Sequence, residues 1–210
     1  MIDHLVYAAA DLPRASEGIA RLLGVTPTPG GSHVGRGTCN ELLSLGGSTY
    51  LEIIGPDPAQ PAPDGARAFG VDGILEPALV AWCVRPLRPL DEMVQAAKAR
   101  NVEFGVVTAM SRCRPDGALL EWQLTLPQLD GPFGCALPFL IDWGRSAHPT
   151  DTLPAAVRLT ALDVIHPDAR VLRAALDAIG LSADSQVHQG DQPALRARIE
   201  TGRGEITLTS

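Results

Sequence analysis

Apolar positions in this chain come in short runs, and the runs recur in one order. Residues 2–9 are a continuous apolar run of strand length. Asp11 follows as a helix cap with Pro13 in the first turn. Ile19, Leu22 and Leu23 then share one helical face, and Gly24 ends the helix. Residues 27–37 are rich in Pro and Gly and predict a mobile loop. Strands are expected at 38–45 and 48–54, joined by a turn at Gly46-Gly47. After a Pro/Gly/Ala-rich linker over 55–77 the order returns: strand 78–84, helix 89–100, then strands 104–110, 119–126 and 137–143. After a second linker, 144–157, it returns again: strand 158–165, helix 167–179, a weak strand at 185–188, and a hairpin of 194–200 with 205–209.

Repetition on this scale sets the fold class. The pattern predicts an α+β chain of three βαβββ units, over 1–56, 78–144 and 158–210, with curved mixed sheets forming a cup. The openings of the first and third units align, Leu5-Val-Tyr-Ala-Ala-Ala-Asp11 against Leu162-Asp-Val-Ile-His-Pro-Asp168.

Composition narrows the function. Apolar residues make up 45% of the 210, enough for a proper core, and the net charge is -7. An acidic chain without basic runs argues against nucleic acid or an anionic membrane surface as partner. No apolar run approaches the ~20 residues that cross a bilayer. The start of the chain shows no basic leader, so a cytoplasmic location is expected. Cys39, Cys83, Cys113 and Cys135 are scattered without a CxxC, as free thiols in a reducing compartment would be.

Two residues stand out against the apolar strands that hold them. His4 and Glu52 each sit alone in a hydrophobic run. Burying either is costly unless something pairs it, and a shared divalent metal or a direct hydrogen bond would do so. A purely structural or interaction protein would leave the pair without purpose.

The ordered motifs are similar to those of a known family. His4-Leu-Val-Tyr7, Gly37-Thr-Cys-Asn40, Tyr50-Leu-Glu-Ile-Ile54, Pro115-Asp-Gly117, Trp122 and Pro138-Phe-Leu-Ile-Asp-Trp-Gly144 resemble the glyoxalase-like domain family of the vicinal-oxygen-chelate superfamily over residues 1–150. That superfamily includes glyoxalases, extradiol dioxygenases and bleomycin-resistance proteins. The resemblance implies two units facing each other as a cup, with metal ligands on the first and fourth strands of each. It implies a metal-dependent lyase, isomerase or dioxygenase acting on a small molecule, with Zn, Ni, Fe, Mn or Mg as the ion. The alternative it implies is a metal-free protein that sequesters a hydrophobic or aromatic compound. A homodimer is the assembly expected of either.

Carried onto these residues, the resemblance makes His4 a ligand and Glu52 a ligand or catalytic base. In the second unit Trp82 falls where a ligand belongs, and Asp142 would complete the set if its register turns it inward. The third unit offers Ala161 and Thr207 at the matching places and so no ligand. Cys39 stands where a second histidine would be expected. It is either a small buried apolar residue or, as a thiolate, a soft ligand or nucleophile. Arg112 and Arg114 flank a hairpin; either is solvated or grips a substrate carboxylate. Trp122 and Trp143 suit the cup wall. His33 would sit on a lid, His148 near the substrate, and His166 and His188 on the surface.

Overall fold

The computed structural model describes residues 1–155, 157–181 and 186–210. The first unit runs β1 (Ile2–Ala8), α1 (Leu12–Leu23), β2 (Thr28–His33), β3 (Thr38–Ser44) and β4 (Tyr50–Pro56). The second runs β5 (Ala78–Val84), α2 (Leu90–Lys98), β6 (Val107–Cys113), β7 (Leu119–Thr125) and β8 (Phe139–Asp142). The third runs β9 (Arg158–His166), α3 (Ala169–Ala178), β10 (Gln186–Gln189), β11 (Ala194–Thr201) and β12 (Gly204–Thr209). The weak strand expected at 185–188 has its first residue outside the described ones.

The eight strands of the first two units close into one barrel, in the order β1-β4-β3-β2-β6-β7-β8-β5. Two antiparallel seams join the units. One pairs β1 with β5, and the other pairs Ser32 with Cys113 and His33 with Arg112 between β2 and β6. Eight strands enclose a space just large enough for side chains or one small ligand. The third unit makes a separate four-stranded sheet, β10-β9-β11-β12, joined to the first unit where the Leu159 amide donates to the Leu45 carbonyl at 2.8 Å.

Strand alternation splits the apolar residues into two cores. Outward residues such as Leu5, Leu51 and Trp82 pack with the helices and the third sheet, through Ile19, Met93, Leu172 and Ile199. Inward residues such as Val6, Ile54, Trp122 and Phe139 form a second cluster inside the barrel. The α1 ends are as the sequence indicates: the Asp11 carboxylate accepts the Arg14 amide at 3.0 Å, and Gly24 adopts φ 76°.

The stretch 27–37 corrects its expectation of a loop. Most of it is β2, a wall strand with partners on both sides. Its Pro and Gly residues mark a bulge between Pro29 and Gly31 rather than a loop. Gly31 has φ 131°, and a Cβ there would stand 1.9 Å from the Cys113 carbonyl oxygen. Gly31→Ala is therefore expected to cost about 2–3 kcal/mol by straining the β2–β6 seam. Gly18→Ala, in α1 with open space around it, should instead stabilise by about 0.5–1 kcal/mol. Urea unfolding of the two variants checks both signs.

Candidate functional site

The site begins with a bulge at the start of β1. Ile2 pairs with Val84 and His4 with Cys83, so Asp3 is an extra residue with no partner across the β1–β5 seam. Asp3 is fully buried. Its Oδ1 takes a 2.7 Å hydrogen bond from His4 Nδ1, and its Oδ2 accepts from His148 Nε2 at 3.0 Å and Trp143 Nε1 at 3.1 Å. Arg85 adds an ion pair, Nε to Oδ2 at 2.9 Å. Burial alone would raise the pKa of this carboxyl, but the hydrogen bonds from His148 and His4 outweigh it and hold it well below the usual range. An ionised Asp3 has no proton to give, so His4 Nδ1 carries the hydrogen. Nε2 is then the nitrogen that looks away from Asp3, 3.7 Å from Glu52 Oε2. The ring is fixed further by stacking on Tyr50, with centroids 4.7 Å apart.

Glu52 arrives from the neighbouring parallel strand β4 and is also buried. Its Oε1 accepts from the Asn40 side-chain amide at 2.6 Å, and Oε1 lies 3.6 Å from His33 Nε2. Arg112 settles which way Asn40 points, because its Nη1 donates to Asn40 Oδ1 at 3.0 Å. The amide nitrogen of Asn40 then faces Glu52 and, at 3.3 Å, His33 Nε2. His33 Nδ1 meets Thr38 Oγ1 at 3.0 Å. Burial lowers the pKa of His33, with Arg112 and His4 adding to it against the pull of Glu52. A neutral ring with its proton on Nδ1 satisfies both contacts.

These groups line one end of a cavity of about 710 Å³. Met110, Trp122, Phe139, Ile141 and Trp143 supply its apolar walls. The stretch 63–70, part of the expected linker, lines one side of it. Arg67 secures this stretch through Nε to the Gly37 carbonyl at 2.7 Å, and Phe69 adopts φ 61° with its ring 5.8 Å from Phe139. A volume of this size with a few convergent polar groups suits a small organic ligand.

The structure brings His4, Glu52, Arg112 and Trp122 onto this cavity and leaves other candidates out. Asp142 is exposed, and its Oδ1 accepts from the Gly144 amide at 2.9 Å. Its neighbour Ile141 takes the inward place. Trp82 points outward and donates Nε1–H to the Ala136 carbonyl, while Cys83 holds the position beside His4. Cys39 also faces outward, its thiol on the Pro56 carbonyl; burial, with Asp57 and Glu41, pushes that thiol up to about 11. It is no thiolate at neutral pH. His148 stands behind His4 on Asp3 rather than in the cavity. His166, expected on the surface, is buried with Nε2 on the Pro132 carbonyl at 3.0 Å. The residues that the sequence passed over are Asp3 and Asn40, with His33 assigned to a lid rather than the wall.

Two donor sets could be asked to hold a metal ion. Asp3, His4 and Cys83 offer ligand atoms within 4.8 Å of one another. Both oxygens of Asp3 are already engaged, however, and burial raises the Cys83 thiol well above its ordinary pKa. That set does not fit an ion. His4 Nε2, His33 Nε2 and Glu52 match by chemistry, as two imidazoles and a carboxylate are the number and kind of ligands a catalytic divalent ion takes, but their donor atoms do not all stand within 4.8 Å of one another, so the side chains would have to draw together on an ion. Each imidazole is also held from behind through Nδ1, as metal-bound histidines are. The 3.3 Å contact from Asn40 is what His33 would give up.

The chain belongs to the glyoxalase-like domain family, whose sequence profile matches residues 2–180. It is thereby a member of the vicinal-oxygen-chelate superfamily. No curated protein matches it. Among solved structures, a hypothetical protein from Staphylococcus aureus is similar at a TM-score of 0.66 and 17% identity, over 91% of this chain and 86% of that one. Methylmalonyl-CoA epimerase from Mycobacterium tuberculosis is similar at a TM-score of 0.40 and 17% identity, over 67% of this chain and 84% of that one. The first likeness speaks to fold alone, and the second carries no argument. Among the described residues no helix is long and apolar enough to cross a membrane.

Asp3 supplies a test of the network. Its folded pKa lies below the unfolded value of 3.8, so its contribution is present above about pH 4 and is lost as pH falls toward the folded value. Asp3→Asn should cost roughly 3–5 kcal/mol at pH 7, since it leaves Arg85 and two histidines facing a neutral amide. The difference from wild type should shrink at pH 3. Urea unfolding at the two pH values measures it, and an equal loss at both would count against the assignment.

Proposed function

We propose that the chain is a small-molecule enzyme of the vicinal-oxygen-chelate type, a lyase, isomerase or dioxygenase, in which His4, His33 and Glu52 hold a divalent ion. One observation carries this. Glu52 stands between two imidazoles, 3.7 Å from His4 and 3.6 Å from His33, and all three line the same cavity. A bound ion would act as a Lewis acid toward neighbouring oxygens of the substrate.

The chain's own residues do the rest. Asp3 sets the tautomer of His4 and keeps Nε2 as a lone-pair donor. Asn40 holds Glu52 by Oε1 and leaves Oε2 to face the cavity, where it can accept a proton from a substrate carbon or hydroxyl. The aromatic walls and the stretch 63–70 limit water around that proton.

A metal-free binding protein is the second reading. It is favoured by the Asn40 contacts, which already satisfy Glu52 Oε1 and His33 Nε2 without an ion.

Metal content after purification without chelator separates the two. The enzyme reading expects near-stoichiometric divalent metal in the wild type and a loss of tenfold or more in affinity for Glu52→Gln. Trace metal in both proteins, with tight binding of an aromatic compound, would favour the sequestering alternative.

A further inference from the structure

Among the described residues, two donors in the cavity wall have no acceptor. Arg112 is only 4% exposed, yet it forms no ion pair among the described residues. Among these residues its side chain donates to a neutral amide oxygen, that of Asn40, and its Nε has no partner. Trp122 is 8% exposed, and its Nε1 likewise has none. Arg112 pairs with Leu120 across β6 and β7, so Trp122, two residues further along β7, is its diagonal neighbour on the same face. Both residues line the cavity.

A buried cation without an anion is costly, and a buried donor without an acceptor loses its hydration for nothing. Glu52 does not discharge this debt directly, because Asn40 stands between the two, donating to one and accepting from the other. What is missing is an oxyanion. Beside the two donors Met110, Trp143 and Phe139 give the wall an apolar stretch, while His4, Glu52, Arg36, Asp64, Arg67 and Asp130 also line the cavity.

We propose that the cavity takes an organic carboxylate with a flat apolar body, its carboxylate on Arg112 and Trp122 Nε1 and its body along Trp143, Phe139 and Met110. This deepens the function proposed above and rests on the same cavity taking a small molecule. It does not require the metal. A guanidinium with Nε free can grip a carboxylate with two parallel hydrogen bonds, and the indole N–H adds a third donor. With the acid end held there, the rest of the molecule extends within the same cavity that His4 and Glu52 face.

The test uses a matched pair of probes, 2-naphthoate and 2-naphthamide, titrated against the whole chain by calorimetry. The two share size and ring and differ in charge. The wild type should bind the carboxylate at least about tenfold more tightly than the amide. Arg112→Gln should abolish that preference while leaving amide binding within about threefold. Trp122→Phe, which removes the indole N–H and also makes the wall smaller, should weaken carboxylate binding about threefold to tenfold and amide binding by less, so that the preference narrows. Equal affinity for both probes in the wild type, or no binding of either at millimolar concentration, overturns the proposal without any variant having to fold. Failure of the enzyme proposal looks different. It shows as trace metal and no dependence on Glu52, with the preference for the carboxylate intact.

Discussion

A single buried carboxylate ties the working end of the barrel together. Asp3 receives hydrogen bonds or ion pairs from β1 itself through His4, from the end of β5 through Arg85, from beyond β8 through Trp143, and from the following turn through His148. A charge at zero exposure is tolerable only when it is surrounded this way. The arrangement exists because β1 bulges at residue 3, which lets two consecutive residues serve the same end of the barrel. Without the bulge, strict alternation would send Asp3 outward into the apolar layer beneath the helices, where no partner waits.

Strand alternation explains both what could be read from the sequence and what was misread. The order of elements and the α+β fold class were plain from hydrophobic runs, turn residues and repetition. His4 and Glu52 were plain because each is polar in an apolar run. Errors came in the parity of a strand. Cys39, Trp82 and Asp142 each lie one residue from an inward position, beside Asn40, Cys83 and Ile141 respectively. A slip of one residue exchanges the two faces of a strand. Buried strands with apolar residues on both faces carry no polar alternation to reveal which face is which. In β8, where both faces of Phe139-Leu-Ile141 are buried, only the structure decides it.

Other features were hidden for a different reason. The role of β2 depends on a partner, β6, that lies some eighty residues further along the chain and on a glycine bulge that reads as a loop. The stretch 63–70 has the composition of a linker, and nothing local shows that it lines a cavity. Its placement comes from long-range contacts such as Arg67 with the Gly37 carbonyl and Phe69 near Phe139. Asn40 was visible within a motif, but its position between a guanidinium and a carboxylate is a fact of three strands meeting, and no single stretch records it.

That position of Asn40 bears on how the barrel stores its chemistry. A direct Arg112–Glu52 ion pair would give each buried charge an opposite one, the least that an apolar interior demands of two charges. The Asn40 amide stands between them instead; among the described residues Arg112 Nε is left without a partner, and Glu52 Oε2 has His4 Nε2 3.7 Å away. The fold thus carries desolvated groups that water would otherwise stabilise, a cost supported by the packing of two cores around them. Groups held in this state interact strongly with whatever enters, because they need not first be stripped of water or reoriented. In this interior Asn40 fills the Arg112–Glu52 gap, donating to one and accepting from the other, while Asp3 fixes His4 alongside, so the polar groups are held in place by their partners rather than by packing alone.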